Sequence, residues 1–220
     1  MNYSSTRLYS KYTKRKNMTN SLLPISIGVA AFSLLVGLII LLAKYSKKMK
    51  AKVAEVASML GANFDPGDWK TQPSMHGTLD RRDYILTFHV VSTGKSNVTY
   101  LDLKTPVTTH ILKLAVRKAT GAGKFFKKLG LNNPLSSGDP YFDEKVAVKG
   151  EPEQDVLSIL YGGYFKEPAI QLTQRGFVVD LKDGDIVASK IYNFKKDMDE
   201  IVIRGDLANL ITLAKSMEKR

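Results

Sequence analysis

The stretch FVVDLKDGDIVA, residues 177–188, indicates the fold class more directly than any other part of the chain. Two short apolar runs, 177–181 and 186–188, flank a polar turn at 182–185. An Asp-Gly pair between apolar strands suits the type I′ turn, which joins neighbouring antiparallel strands. We therefore predict a β-hairpin here, and an antiparallel sheet around it.

Four further strands are predicted upstream of this hairpin. Residues 84–91 are rich in β-branched and aromatic side chains, residues 98–103 alternate like a strand, and residues 93–97 suit the connection between them. Shorter strands are predicted at 111–116 and 146–148. Consecutive strands joined by short turns are typical of antiparallel pairing.

Helical periodicity follows in the second half of the chain. Residues 153–161 and 168–174 show helical patterns that end near glycines, and a last helix is predicted from residue 199 or 206 to Met217. Strands and helices in separate runs favour an α+β domain. We predict one mostly antiparallel sheet with packed helices and a C-terminal amphipathic helix over residues 63–220.

The N-terminal part of the chain has the pattern of a membrane anchor. Residues 21–43 contain no charged side chain and are mostly apolar, and as a helix they match the thickness of a bilayer core. A buried soluble helix is rarely apolar on all sides over this length, and no small-residue cleavage site follows. We therefore predict a basic tail at 1–20, a transmembrane helix at 21–43 and a basic juxtamembrane helix at 44–62.

The charge distribution supports a membrane rather than a nucleic acid as the partner. The formal net charge is +12, but residues 1–52 carry ten basic residues and no acidic one, which leaves 23 basic and 21 acidic residues beyond them. Basic flanks beside an apolar helix contact anionic headgroups. The flank after the predicted span consists of Lys44, Lys47, Lys48, Lys50 and Lys52.

The orientation of the anchor depends on which methionine begins the chain. Five basic residues precede the span and five follow it, so the positive-inside rule does not decide. A start at Met18 would remove the first group, whereas a start at Met1 would retain it. We favour a single-pass protein of the inner cell membrane with a cytoplasmic domain. The absence of cysteine fits either compartment.

A short motif in the middle of the domain carries a family resemblance. The element Gly138-Asp139-Pro140-Tyr141-Phe142-Asp143, preceded by Leu60-Gly61 and by the strand-like Gly77-Thr78-Leu79-Asp80, resembles bacterial single-pass membrane-anchored domains of unknown function. Those domains carry a Gly-Asp-Pro-x-Phe-Asp element; the chain departs from them at Arg81-Arg82. The resemblance implies an anchored α+β domain and transfers no catalytic residue.

The segment 113–128 predicts a basic, solvated edge that could contact an anionic bilayer surface. Its basic and aromatic residues are Lys113, Arg117, Lys118, Lys124, Phe125, Phe126, Lys127 and Lys128. A short helix is expected near residues 124–129. The segment Gly121-Ala122-Gly123-Lys124 is not predicted to bind phosphate, because Phe125 occupies the position of the hydroxyl residue.

No cofactor or metal site is predicted. Asp139, Asp143 and Glu144 lack calcium-loop spacing; we expect Tyr141 and Phe142 in the core, with the acidic residues capping a turn. The three histidines have no zinc-site spacing, and cysteine is absent.

The sequence as a whole predicts a non-enzymatic, membrane-anchored protein that acts as an interaction module or as an accessory subunit of a membrane complex. A protein partner is expected, and Ser33 with Gly37 permits self-association in the membrane. Two alternatives remain. One is a domain that binds anionic lipid surfaces, and the other is an enzyme with an unfamiliar site around Asp139, Asp143 and Arg175.

Overall fold

The structure is a computed structural model that describes residues 5–68, 71–94, 96–120 and 134–218, with side chains from residue 32 onward except residue 42. The chain divides into two compact units, Met1–Lys48 and Met49–Arg220. Helix α1 covers Ser5–Leu60. Across the part of the chain whose side chains are described, no helix is both long enough and apolar enough to cross a bilayer. Side chains 21–31 and 42, which belong to the predicted span, lie outside that part.

The second unit contains one antiparallel sheet of eight strands among the described residues, in the spatial order β1-β2-β3-β4-β8-β7-β5-β6. This result confirms the predicted α+β class with an antiparallel sheet. The strands are β1 Asn63–Asp65, β2 Ser74–Leu79, β3 Arg82–Ser92, β4 Asn97–Pro106, β5 Lys113–Lys118, β6 Val146–Glu151, β7 Val178–Lys182 and β8 Asp185–Ile191.

One face of the sheet forms the core. A continuous row of paired residues crosses seven strands, and every member is completely buried. The row consists of Met75, Leu86, Leu103, Ala188, Val179, Val116 and Val148. Five helices accompany the sheet in the described part of this unit: α2 Pro140–Lys145, α3 Glu153–Tyr161, α4 Lys166–Gln174, α5 Phe194–Asp197 and α6 Glu200–Glu218. Their apolar residues, including Leu160, Leu172 and Leu210, belong to the same core.

The end of α1 belongs to the domain rather than to a separate juxtamembrane helix. Met49, Val53, Val56 and Ala57 are buried in the core, so the compact unit begins at Met49 instead of residue 63. The helix ends as predicted at Gly61, whose φ of +65° is favourable for glycine after a helix.

Most predicted elements have counterparts in the structure. The hairpin between β7 and β8 turns through Asp183 and Gly184, both with positive φ, as a type I′ turn requires. The last helix begins next to Asp199, whose carboxylate accepts the N–H groups of Ile201 and Val202. The predicted strand 146–148 is too short, because β6 continues through Gly150 to Glu151. The helix expected near 124–129 lies outside the described residues.

Candidate functional site

The motif 138–143 forms a tight entry to helix α2. Gly138 adopts a φ of +71°, which reverses the chain before the helix. Asp139 is the N-cap: its Oδ1 accepts the N–H groups of Tyr141 at 3.1 Å and Phe142 at 3.3 Å. Pro140 occupies the first helical turn, where a missing N–H costs no helical hydrogen bond. The predicted capping role of the acidic residues is therefore correct for Asp139.

The second carboxylate of the motif, Asp143, binds the residues before the turn. It accepts the N–H of Ser137 at 3.0 Å and the hydroxyl of Ser136 at 2.8 Å. Burial acts to raise the pKa of Asp143, but these donors outweigh it and lower the pKa. The pKa of Asp139 is also lowered, first by the N–H of Phe142 and further by Lys166, whose Nζ lies 3.3 Å away. Both carboxylates thus hold the loop in one conformation.

The two aromatic residues of the motif point in different directions. Phe142 is 1% exposed and belongs to the core, as predicted, whereas Tyr141 is 60% exposed. The prediction that Tyr141 is a core residue is wrong, because successive helical side chains are about 100° apart and only one of them can face the core. The Nζ of Lys145 lies 3.5 Å from the centroid of the Tyr141 ring, which helps to orient it.

Two more exposed tyrosines flank the turn between α3 and α4, and the first of them lies close to the motif. Tyr161 and Tyr164, at the end of α3 and just before α4, are 67% and 66% exposed. A Cβ added at Gly138 would lie 3.6 Å from Cε1 of Tyr161, so the motif and the end of α3 are in contact. We refer to Tyr141, Tyr161 and Tyr164 as the tyrosine surface. Tyr161 and Tyr164 were not predicted as site residues from the sequence, although both flank the glycine pair 162–163.

A groove of about 380 Å³ is present elsewhere on the domain. One wall is the loop that follows β4, from Thr108 to Ile111, and the opposite walls are α3 and the end of α6. The lining residues are Thr108, Thr109, His110, Ile111, Asp155, Ile159, Met217 and Glu218. Its volume is within the range of pockets that bind small ligands or single side chains. No sequence pattern predicts this groove, because its lining residues are far apart in the chain.

Glu218 fixes the loop wall of the groove. The Arg82 guanidinium donates to both carboxylate oxygens, and the N–H of Thr108 donates to Oε1 at 2.9 Å. The hydrogen bonds from Arg82 are the main cause that lowers the pKa of Glu218. The carboxylate is therefore ionised, and its charge is balanced by Arg82.

A cluster of buried charges lies on the core side of β8. Lys190 is 4% exposed, and its Nζ lies 2.9 Å from Asp197 and 3.6 Å from Asp206. Arg175 completes the cluster, with Nε 2.5 Å from Oδ1 of Asp206. Burial raises the pKa of Asp206, although Lys190 and Arg175 oppose the rise. Lys190, Asp197 and Asp206 are buried and Arg175 is partly exposed; we call these four residues the buried ion cluster.

The structure does not join the three residues of the enzyme alternative. Arg175 is paired with Asp206, Asp139 with Lys166, and Asp143 with the serines 136 and 137. No described contact links Arg175 to either motif carboxylate. Each of these charged groups is therefore engaged in holding the fold.

A polar trio on the other face of the sheet also differs from a catalytic arrangement. His89 Nδ1 lies 2.7 Å from Asp102 Oδ2, and the Ser189 hydroxyl donates to Asp102 Oδ1 at 2.6 Å. Nucleophilic catalysis needs the hydroxyl bonded to the imidazole, whereas here both groups bind the carboxylate. Within the described residues, no group of three or more His, Cys, Asp or Glu side chains is arranged to hold a metal ion.

The predicted basic edge is only partly as expected. Arg117 is buried, and its guanidinium contacts Asp180 at 2.6 Å and the carbonyl of Val179, so its assignment to an exposed edge is wrong. A buried arginine on a face of a sheet is tolerated when its charge is paired with a carboxylate. Lys113 is exposed and paired with Glu151, and Lys118 is exposed. Lys124, Phe125, Phe126, Lys127 and Lys128 lie outside the described residues.

The lysines of the predicted membrane flank occur on α1. Lys44, Lys47 and Lys48 are exposed. Lys50 is half-buried and donates to the carbonyl of Gly67 at 3.4 Å, and Lys52 pairs with Glu55 at 2.9 Å. The exposed lysines thus precede the compact domain, and the other two contribute to its first turns.

Comparison with known proteins gives no match: no protein family, no curated protein and no solved structure is similar to the chain. The motif 138–143 therefore stays a resemblance.

Proposed function

We propose that this protein is a membrane-anchored, non-enzymatic domain that binds a protein partner, as an interaction module or as an accessory subunit of a membrane complex. The observation that supports this function is the tyrosine surface. An exposed tyrosine is well suited to bind a partner, because its side chain combines a large apolar ring and a hydroxyl group with few rotatable bonds. Tyrosine is enriched at protein interfaces and at their energetic centres.

The rigidity of the supporting loop strengthens this proposal. Asp139 and Asp143 hold the turn before α2, and Phe142 fastens the helix to the core. A surface that is already ordered loses less conformational entropy when a partner binds. The motif residues would then serve recognition indirectly, by holding Tyr141 on a helix whose entry at Gly138 lies beside Tyr161.

The anchor is proposed to be a single transmembrane helix over residues 21–43 in the inner membrane, with the domain in the cytoplasm. The uncharged stretch and the exposed lysines that follow it support this arrangement. Carbonate extraction of membranes tests the anchor: we expect the full chain to stay in the pellet, and its release without detergent would contradict the proposal. Protease treatment of sealed inverted vesicles tests the orientation, because a cytoplasmic domain is digested only from the outside of such vesicles.

Sedimentation of the detergent-solubilised full chain tests partner binding. We expect the wild-type chain from native membranes to sediment as a complex heavier than the chain alone. Tyr161→Ser combined with Tyr164→Ser is expected to shift it to the free chain. Ile201→Ser is the matched control, because Ile201 is 77% exposed at another site. A heavy complex that survives both tyrosine substitutions would contradict the proposal.

The mass of the complex also distinguishes a foreign partner from a second copy. A mass that is a multiple of the chain would indicate a homo-oligomer, which the pair Ser33 and Gly37 in the predicted span permits. A complex of any other mass would indicate a different protein.

A second candidate function is binding of the domain to an anionic membrane surface. The exposed side chains of Lys44, Lys47, Lys48 and Lys118 favour it. The chain contains no cysteine, so a spin label can be introduced at one site with Lys118→Cys. We expect the label to contact lipid in anionic bilayers and water in neutral bilayers. Equal exposure to water in both would contradict this function.

A further inference from the structure

The groove between the loop 108–111 and helices α3 and α6 has an apolar floor. Ile111, Ile159 and Met217 are each about 5% exposed or less and form this floor. Buried aliphatic and thioether side chains offer van der Waals contact to an alkyl chain, and methionine adapts to different shapes. The floor alone would accept many apolar groups.

The two carboxylates of the groove differ in their charge balance. Glu218 accepts hydrogen bonds from both terminal nitrogens of the Arg82 guanidinium, so the charge on this wall is close to neutral. Asp155 lies in the part of the wall that α3 forms, in the first turn of that helix, and is half-buried. It forms no hydrogen bond or ion pair with any other residue that the structure describes. The partial positive charge at the N-terminus of α3 compensates only part of the charge of the Asp155 carboxylate.

A half-buried carboxylate over an apolar floor selects for a positive charge. Part of its hydration is already lost, so a cation that binds there displaces little further water from Asp155. The cation needs an alkyl stem to cover the floor, which simple metal ions lack. The side chains of lysine and arginine combine these two features.

We propose that this groove binds a lysine or arginine side chain of a protein partner, with the charged head at Asp155 and the alkyl stem on the floor. The occupant is assigned by charge complementarity to the unbalanced carboxylate. This inference rests on the proposed function, because the lysine or arginine belongs to the protein partner. It uses no residue of the tyrosine surface, so each of the two sites can be tested without the other.

Nuclear magnetic resonance of the full chain in nanodiscs tests the proposal, with the methyl groups of Ile111, Ile159 and Met217 as reporters. The probe is the peptide acetyl-Ala-Leu-Lys-Ala-amide, and its analogue with norleucine in place of lysine keeps the stem and removes the charge. We expect saturable shifts of all three methyl signals with the lysine peptide. The norleucine peptide is expected to bind at least about tenfold more weakly.

Asp155→Asn is expected to reduce the affinity for the lysine peptide about tenfold. The methyl spectrum of this variant without peptide should still be that of a folded protein. Glu153→Gln is the matched control: Glu153 is in the same helical turn but exposed and outside the groove, so binding should not change. Equal binding of the two peptides, or full binding by Asp155→Asn, would overturn the proposal. Tighter binding of spermidine than of the lysine peptide would also overturn it, because a free amine would then be the occupant. None of these outcomes affects the sedimentation test of the tyrosine surface.

Discussion

The buried ion cluster and the motif at the tyrosine surface use carboxylates in opposite ways. In the cluster, Asp206 is 1% exposed, burial raises its pKa, and two cations compensate its charge. In the motif, Asp139 and Asp143 lie near the surface; backbone N–H donors contribute to a lowered pKa at both, together with Lys166 at Asp139 and serine side chains at Asp143. The cluster joins β8 to the last residue of α5 and to the second turn of α6, and the motif shapes a loop beside exposed tyrosines.

This difference separates the residues that hold the domain together from those that are available to a partner. Three of the four charges in the cluster, Lys190, Asp197 and Asp206, are buried, so their removal should affect stability. The exposed rings of the tyrosine surface contribute little to the core, so their removal should affect binding. Substitutions at Lys190, Phe142 and Tyr161 test this separation.

The largest effect is expected for Lys190→Met. This change leaves Asp197 and Asp206 buried without their shared cation, and removal of one partner from a buried ion pair costs about 3–5 kcal/mol of the free energy of unfolding. Urea unfolding of the full chain in detergent, followed by circular dichroism, measures it. The control Lys118→Met, at an exposed lysine, should change stability by less than about 0.5 kcal/mol.

Additional neutralisation should restore part of the stability lost in Lys190→Met. Asp197→Asn removes the charge that has lost its cation in Lys190→Met, whereas Asp206 keeps its pairing with Arg175. If Lys190→Met alone were as stable as the wild type, the cluster would not hold α5 and α6 in place.

An intermediate effect is expected within the motif. Phe142→Leu should lower the free energy of unfolding by about 1–1.5 kcal/mol, because a fully buried ring is replaced by a smaller apolar side chain. The neighbouring Tyr141→Leu should change it by less than about 0.5 kcal/mol, because the ring is mostly exposed. Thermal or urea unfolding measures both. Equal losses for the two variants would contradict the division between core and surface at this helix.

A smaller, pH-dependent effect is expected for Glu218. Its pKa in the folded protein is below the ordinary value of 4.5, so its stabilising contribution is present above that value and is lost as the pH falls through the lower folded pKa. Glu218→Gln should therefore reduce the loss of stability between neutral pH and about pH 3, by less than about 1 kcal/mol for a partly exposed pair. Parallel urea titrations at both pH values measure it; an unchanged pH dependence would contradict the ionised pairing with Arg82.

The smallest effect on stability is expected for Tyr161→Ser. The ring is 67% exposed, so the free energy of unfolding should change by less than about 0.5 kcal/mol. The same variant should weaken the complex with the partner. Comparison of its unfolding curve with its sedimentation separates the two effects, and a destabilised variant would indicate a structural role for the ring.

Local patterns in the sequence were sufficient to predict much of the fold. Asp183-Gly184 predicted the β7–β8 hairpin, because the backbone of that turn requires positive φ at both positions. The apolar face that includes Leu207 and Leu210 predicted α6 in the same way. Strand β1, with three residues, and helix α5, with four, were missed because such short elements show no periodicity.

The sites depend on contacts between distant parts of the chain, which periodicity does not encode. Arg117 looked like a surface residue because it occurs among lysines, but its partner Asp180 is 63 residues away. The groove likewise needs Asp155 and Glu218 on two different helices. The motif 138–143 was recognised from its residue types, yet the direction of Tyr141 became clear only when Phe142 was placed in the core.

The most direct test of the central claim is photo-crosslinking in intact membranes with p-benzoyl-phenylalanine at single positions. Tyr161 and Tyr164 are replaced in turn, and Ile201 and Leu112, both strongly exposed elsewhere, serve as controls. We predict one discrete adduct from positions 161 and 164, reduced by Tyr141→Ser, and no such adduct from positions 112 and 201. Equal adducts from all four positions, or an adduct from the control positions alone, would contradict the claim that the tyrosine surface binds the partner.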